Sequence, residues 1–355
     1  MRTPLVDRLG IEHPIIQAPM AGGWTTPALV AAVSEAGGLG TLAGGRVPTD
    51  DLRRMIAETR RLTRRPFGIN LLDPSATVPA ADDPALPAVL GGIRERLGLP
   101  PEPPPRAVDY ASTEEAVEIA LEAGVKVLSF AMGSPRPYVE PAHAAQAVVM
   151  GTAPTVTEAE EVAAAGADFV VTQGSVAGGH RSTFALGRCD ELPLVGTIAL
   201  VPAIVDAVGV PVIAAGGIMD GRGIIAALAL GAAGVQMGTR FLLATESGAP
   251  PSYRRQLLAA DETSTVVTDA YSGRPARGIR NAFARLFHSS GARPFPYPRQ
   301  GAAAADIYRA SLAIDAEWST IFAGQGLRLA KRDQPAAEIV RELVEEMEEV
   351  RKRLG

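Results

Sequence analysis

Short apolar runs recur between residues 15 and 239: IIQAPM (15–20), GLGTL (38–42), FGINL (67–71), VLSFAM (127–132), AVVMGT (147–152), DFVVTQG (168–174), PVIAAGG (211–217) and GVQMGT (234–239). Each is apolar along its length instead of alternating with polar residues, the pattern of parallel strands covered on both faces. Between them the period changes to that of helices. LRRMIAETRRL (52–62) sets Leu52, Met55, Ile56, Thr59 and Leu62 on one face. STEEAVEIALEAG opens with Ser112 and has Glu115 three residues on, a capping box. TVTEAEEVAAAGAD and GRGIIAALALGAA continue the series. Eight strand-then-helix units predict a (β/α)8 TIM barrel over residues 1–245; an open doubly wound sheet is the alternative.

Two segments break the alternation. Residues 73–106 are rich in proline, alanine and acid and read as an insertion with one short helix, VLGGIRERLG. Residues 246–330 follow the eighth strand and read as a smaller, mainly helical domain over the barrel mouth. The 331–355 segment ends in an amphipathic helix, acidic first and basic last as the helix dipole favours, expected to pack back on the barrel.

Composition narrows the function. The formal net charge is -5, and no basic run is interleaved with aromatics, which argues against a nucleic-acid partner. The single cysteine, Cys189, forms no internal disulfide and suits a reducing compartment. The N-terminus lacks a secretory apolar core and GIIAALALGAAGV is too short to span a bilayer, so a cytoplasmic protein is expected. The four scattered histidines and one cysteine give no metal-ligand spacing.

In a (β/α)8 barrel the chemistry sits at the C-terminal ends of the strands. GSVAGGHRS (174–182) follows the sixth run directly and therefore puts His180 on that face, behind Gly178 and Gly179. An imidazole there titrates near neutrality and serves as acid or base. His13 falls before the first strand, His143 between the fourth and fifth, and His288 in the accessory segment. Cys189 beside the same loop could be a nucleophile, but a lone cysteine is more often a small buried hydrophobe. The ends of the seventh and eighth strands read AAGGIMDGRG and VQMGTRF, where Gly216, Gly217, Gly238 and Thr239 would cradle a phosphate on free backbone N–H groups. Met20, in PMAGG, would supply a thin apolar floor for a planar ring, and the amides of Asn70 and Gln173 would meet its edge. A phosphate cradle, a floor and two amides describe a site for flavin mononucleotide (FMN).

QAPMAGG, PFGIN, AGGHRS, AAGGIMDGRG, GVQMGTRFL and SGRPARGIRN together resemble the nitronate monooxygenases, from residue 11 to about 282. The resemblance implies one noncovalent FMN, with Asn70, Gln173, Gly178, Gly216 or Gly217, and Gln236, Met237, Gly238 and Thr239 around it, and it makes His180 catalytic. It implies oxidation of an alkyl nitronate with O2 to a carbonyl compound and nitrite. His180 would either remove the α-proton of a neutral nitroalkane or hold the anionic nitronate. Several motifs are similar in NAD(P)H-dependent FMN reductases acting on enoyl thioesters or quinones, which stays open as an alternative, as does a flavin-binding barrel without turnover. A homo-oligomer is compatible with all three. Relatives that favour small carboxylated nitronates carry tyrosines and a lysine near residues 297–307. Here Tyr297 stands, Tyr308 is displaced, alanines fill much of the segment and no lysine occurs between Tyr297 and Lys331. Arg299 could supply the charge; otherwise a larger or more apolar substrate is expected.

Overall fold

The structure is a computed structural model that describes residues 1–73, 82–103, 109–184, 192–330 and 332–355. Cys189 and parts of the 73–106 insertion lie outside the described residues. All eight apolar runs are strands: β1 (Ile15–Gln17), β2 (Gly40–Ala43), β3 (Phe67–Leu72), β4 (Val127–Ala131), β5 (Val148–Ala153), β6 (Phe169–Gln173), β8 (Val212–Ala215) and β9 (Gly234–Met237). They pair in parallel in the order β1-β9-β8-β6-β5-β4-β3-β2. Leu39, just ahead of β2, closes the ring onto β1: its N–H donates to Ile15 O and its carbonyl accepts from Gln17 N, both at 2.9 Å. The result is the expected TIM barrel.

Strand parity then decides what each side chain meets. Val149, Val170, Val212, Ile69 and Leu71 face the helices and join one apolar cluster with Leu52, Ile56, Val117 and Val162. Ile16, Val127, Met150, Val171 and Ile213 face inward, where they pack on Leu5, Leu9 and Ile11. Those last residues belong to, or follow, the helix Pro4–Leu9, which Thr3 caps at Val6 N and which Gly10 ends at φ 66°. Leu5 has no exposed surface, so this helix plugs the barrel floor. One step further up the same inward parity come Asn70, Ser129, Thr152, Gln173 and Gln236, a polar layer above an apolar plug.

Residues 246–330 carry more than helices. Thr265–Thr268 (β10) and Ala276–Ile279 (β11) form an antiparallel ribbon, and the two-residue strand Gly179–His180 (β7) adds to its edge through His180↔Ala276 and Arg277↔Gly179. The sequence shows no period there because β7 is too short to have one. The insertion helix Leu86–Arg96 packs into the same core as Tyr271, Phe283, Phe287 and Ile307, and the buried Arg94 is paired with Asp306 at 2.8 Å. The helix Ala336–Leu354 lays Ile339, Val340 and Leu343 against Ile224, Ala227 and Leu29 on the barrel's outside. Its Glu346 accepts from Gly221 N at 2.8 Å, at the start of the helix Gly221–Ala229. Among the described residues no helix is long and apolar enough to cross a membrane.

Candidate active site

The pairing of β7 with β11 fixes His180. Its Nε2 lies 2.7 Å from Ser272 Oγ. Tyr297 stands edge-on to the imidazole at 5.7 Å between centroids, and Phe322 is tilted against it at 5.3 Å. Burial lowers the His180 pKa to about 4, and the Arg274 cation nearby pushes it the same way. The group is therefore neutral through the physiological range.

The backbone around it is held by side chains. Gln173 accepts from Ser182 N at 3.0 Å and donates to His180 O at 2.9 Å, so its carbonyl oxygen serves the loop and one amide hydrogen is left for a ligand. Asn70 donates to Ser129 Oγ at 2.7 Å, which orients its amide within the polar layer. Gln236 shares that layer by parity, whereas Met237 turns outward into the helix-facing cluster and can meet a ligand only through its backbone. Met20 is half-buried against apolar clusters, in a turn that Thr25 closes by accepting from Met20 N at 2.8 Å.

The expected glycines converge. Gly216 and Gly217 have φ of 112° and 74°, conformations that favour glycine. A Cβ on Gly217 would meet Val176 at 2.9 Å, and one on Gly216 would meet Ala177 N at 2.9 Å. At Gly178 the Cβ direction is filled by the Ala323–Gly324 backbone at 2.6 Å, so this glycine admits a neighbouring segment. Thr239 Oγ1 accepts from Gly324 N at 3.0 Å, and it opens the short helix Thr239–Leu242. Gly238 has only Ala18 Cβ near its Cβ direction, at 3.6 Å. The loops after β6 and β8 thus pack together, and the Ala323–Gly324 segment joins Gly178 to Thr239 after β9. The residues present fit a phosphorylated planar cofactor.

The remaining histidines are elsewhere. His143 pairs with Asp168 at 3.0 Å, just before β6, at the floor end. His13 precedes β1, where its N–H donates to Gly37 O, and His288 is exposed in the last turn of the helix Ala282–Ser290. Among the described residues no metal-binding cluster occurs.

The nitronate monooxygenase family matches residues 2–346. The chain belongs to that family. As a nitronate monooxygenase family enzyme it is an oxidoreductase. It is 40% identical over 346 residues to a probable nitronate monooxygenase of Staphylococcus haemolyticus, covering 97% of this chain and 96% of that one. A probable nitronate monooxygenase of Staphylococcus aureus is 41% identical over 349 residues, covering 98% and 97%. Among solved structures, nitroalkane oxidase from Streptomyces ansochromogenes superposes with a TM-score of 0.89 at 37% identity, covering 99% of each chain. FabK from Thermotoga maritima gives 0.77 at 33%, covering 100% of this chain and 98% of that one.

Within this nitronate monooxygenase family member, reading the sequence missed a group of buried arginines. Arg181 donates to Gly174 O at 2.8 Å and Gln173 O at 3.1 Å. Arg274 donates to the carbonyl of Thr183, and Arg277 donates to Ser175 O at 2.8 Å. All three are buried, and Glu158 is the carboxylate whose field reaches Arg181 and Arg274. Four positions of SGRPAR thereby find a role. Ser272 meets His180. Gly273, at φ 82°, leaves room for the Phe295–Tyr297 backbone. Arg274 and Arg277 staple the His180 loop. Arginines in an apolar, glycine-bearing stretch were the available signal.

Proposed function

We propose that this chain oxidises alkyl nitronates with O2 to a carbonyl compound and nitrite, with FMN as cofactor and His180 as the catalytic residue. The observation that carries this reading is the neutral, walled-in imidazole at the barrel mouth, 2.7 Å from Ser272 and flanked by Tyr297 and Phe322. FMN, when bound, supplies the electron acceptor for the substrate. Gly216, Gly217, Gly238 and Thr239 would hold its phosphate, Asn70, Gln173 and Gln236 its ring edge, and Met20 the ring's apolar face, while Gly178 and Met237 contribute backbone only.

Ser272 sets the imidazole's role. Its oxygen lies 3.2 Å from Arg274 O, to which it donates, and accepts from Arg274 N at 3.3 Å. In the arrangement proposed, the serine hydrogen goes to Arg274 O, Nε2–H of His180 donates to Ser272 and Nδ1 keeps its lone pair. When the substrate arrives as the neutral nitroalkane, the neutral imidazole takes its α-proton at Nδ1 and so yields the nitronate that is oxidised. The buried Arg274 charge favours the anion so formed and disfavours a second positive charge on His180.

A second reading, from the motifs similar in such enzymes, is a reductase fed by NAD(P)H. An anaerobic absorption spectrum of the FMN-loaded protein separates the two. Bleaching of the oxidised flavin by ethyl nitronate, without bleaching by NADH or NADPH, is the expected result. The reverse pattern would transfer the assignment to the reductases.

A further inference from the structure

The helix Ala336–Leu354 carries two carboxylates one turn apart, Glu342 and Glu346. Like charges at that spacing repel along a helix. Here each reaches off the helix to a different barrel loop. Glu342 accepts from Arg240 Nη2 at 2.7 Å and from Gln334 Nε2 at 3.0 Å. Glu346 accepts from Gly221 N at 2.8 Å. Arg240 stands in the short helix Thr239–Leu242, directly after Gly238 and Thr239. Gly221 opens the helix Gly221–Ala229, at the end of the loop that begins with Gly216 and Gly217. The two ties therefore join the loops after β8 and β9, the pair to which the reading above gives the cofactor phosphate.

Both ties sit in packed surroundings. The Arg240 side chain is 4% exposed, and burial lowers its pKa while the fields of Glu342 and Glu346 oppose that. At Gly221 the Cβ direction is filled by the Glu346 carbonyl carbon at 2.5 Å, so a glycine is what lets the C-terminal helix come this close. The first donors of the helix Gly221–Ala229 are met from within the protein, Gly221 N by Glu346 and Gly223 N by Asp220 at 3.0 Å. Two carboxylates at one helix start repel a further anion, which directs a phosphate to the glycines ahead of it.

We propose that Glu342 and Glu346 are positioning residues for the cofactor phosphate: through Arg240 and Gly221 the C-terminal helix fixes the spacing of the two loops that the phosphate would bridge. The inference rests on the FMN reading above. Neither carboxylate is assigned a contact with the cofactor. A phosphate held by backbone N–H groups of both loops binds tightly only while those groups converge, whereas the ring edge is served from the strands by Asn70, Gln173 and Gln236.

The test titrates the full chain, freed of cofactor, with FMN and with riboflavin, which lacks the phosphate, and follows flavin fluorescence. The variants are Glu342→Gln, Glu346→Ala and the two combined, with Glu345→Ala, exposed on the same helix, as control. The combined variant should raise the FMN dissociation constant about tenfold, the loss of a charge-assisted hydrogen bond, and leave that of riboflavin nearly unchanged. A merely structural role would weaken both flavins alike. Unchanged FMN affinity, equal losses for both flavins, or an equal loss in Glu345→Ala overturns the proposal. The single variants each keep one tie, should shift less in the same direction, and carry the comparison if the combined variant does not fold. A wild type that binds neither flavin, or both equally, would instead overturn the FMN reading. Amide hydrogen exchange without cofactor would still decide on the clamp: residues 216–223 and 238–243 should exchange faster in the variants, and equal rates overturn it.

Discussion

An imidazole held near a pKa of about 4 is unprotonated wherever a cell keeps its pH. The sign follows directly: the active form is unprotonated, so activity on a neutral nitroalkane survives acidification past the usual histidine range and falls only as pH approaches about 4. A kcat/KM profile with its acid limb near 6.5 would contradict this. Arg274→Met removes the cation that assists burial and should move that limb upward, while His180→Ala should abolish it and slow turnover by about 10²–10⁴-fold, the range for a lost general base. His180 was legible in the sequence because a strand-end position is a local property. Ser272 was not given a role, because it stands 92 residues away and meets His180 only through β11. Arg299 shows the converse limit: its charge is visible in the sequence, its neutralisation by Asp82 is not.

At the scale of elements, the barrel strands were legible because each is buried on both faces and carries an unbroken apolar run. The Ser112 cap was legible too, and its side chain accepts from Glu115 N as the capping box requires. β10 and β11 were not: they are four-residue strands that pair mainly with each other, and only Ala276 and Arg277 of β11 reach β7. Gly178 tests how tightly this arrangement is drawn. Gly178→Ala puts a methyl 2.6 Å from the Ala323–Gly324 backbone and should cost about 1–3 kcal/mol as overpacking, read as a lower melting temperature. An unchanged melting temperature would mean the segment yields freely.

For the whole molecule, stability rests partly on its C-terminal helix. Leu343 is 1% exposed in the cluster with Ile224 and Ile339, and Leu343→Ala should cost about 2–5 kcal/mol, measured by thermal or urea unfolding. A loss below the range of surface substitutions would show that the helix is a dispensable tail. The floor helix has a different consequence. With Leu5 lodged beneath Ile213 and Phe169, the barrel is stoppered at its floor end among the described residues. Whatever reaches the polar layer of Asn70 and Gln236 then comes from the side of the accessory ribbon, so under the proposed reaction a departing product stands in the way of the next arrival.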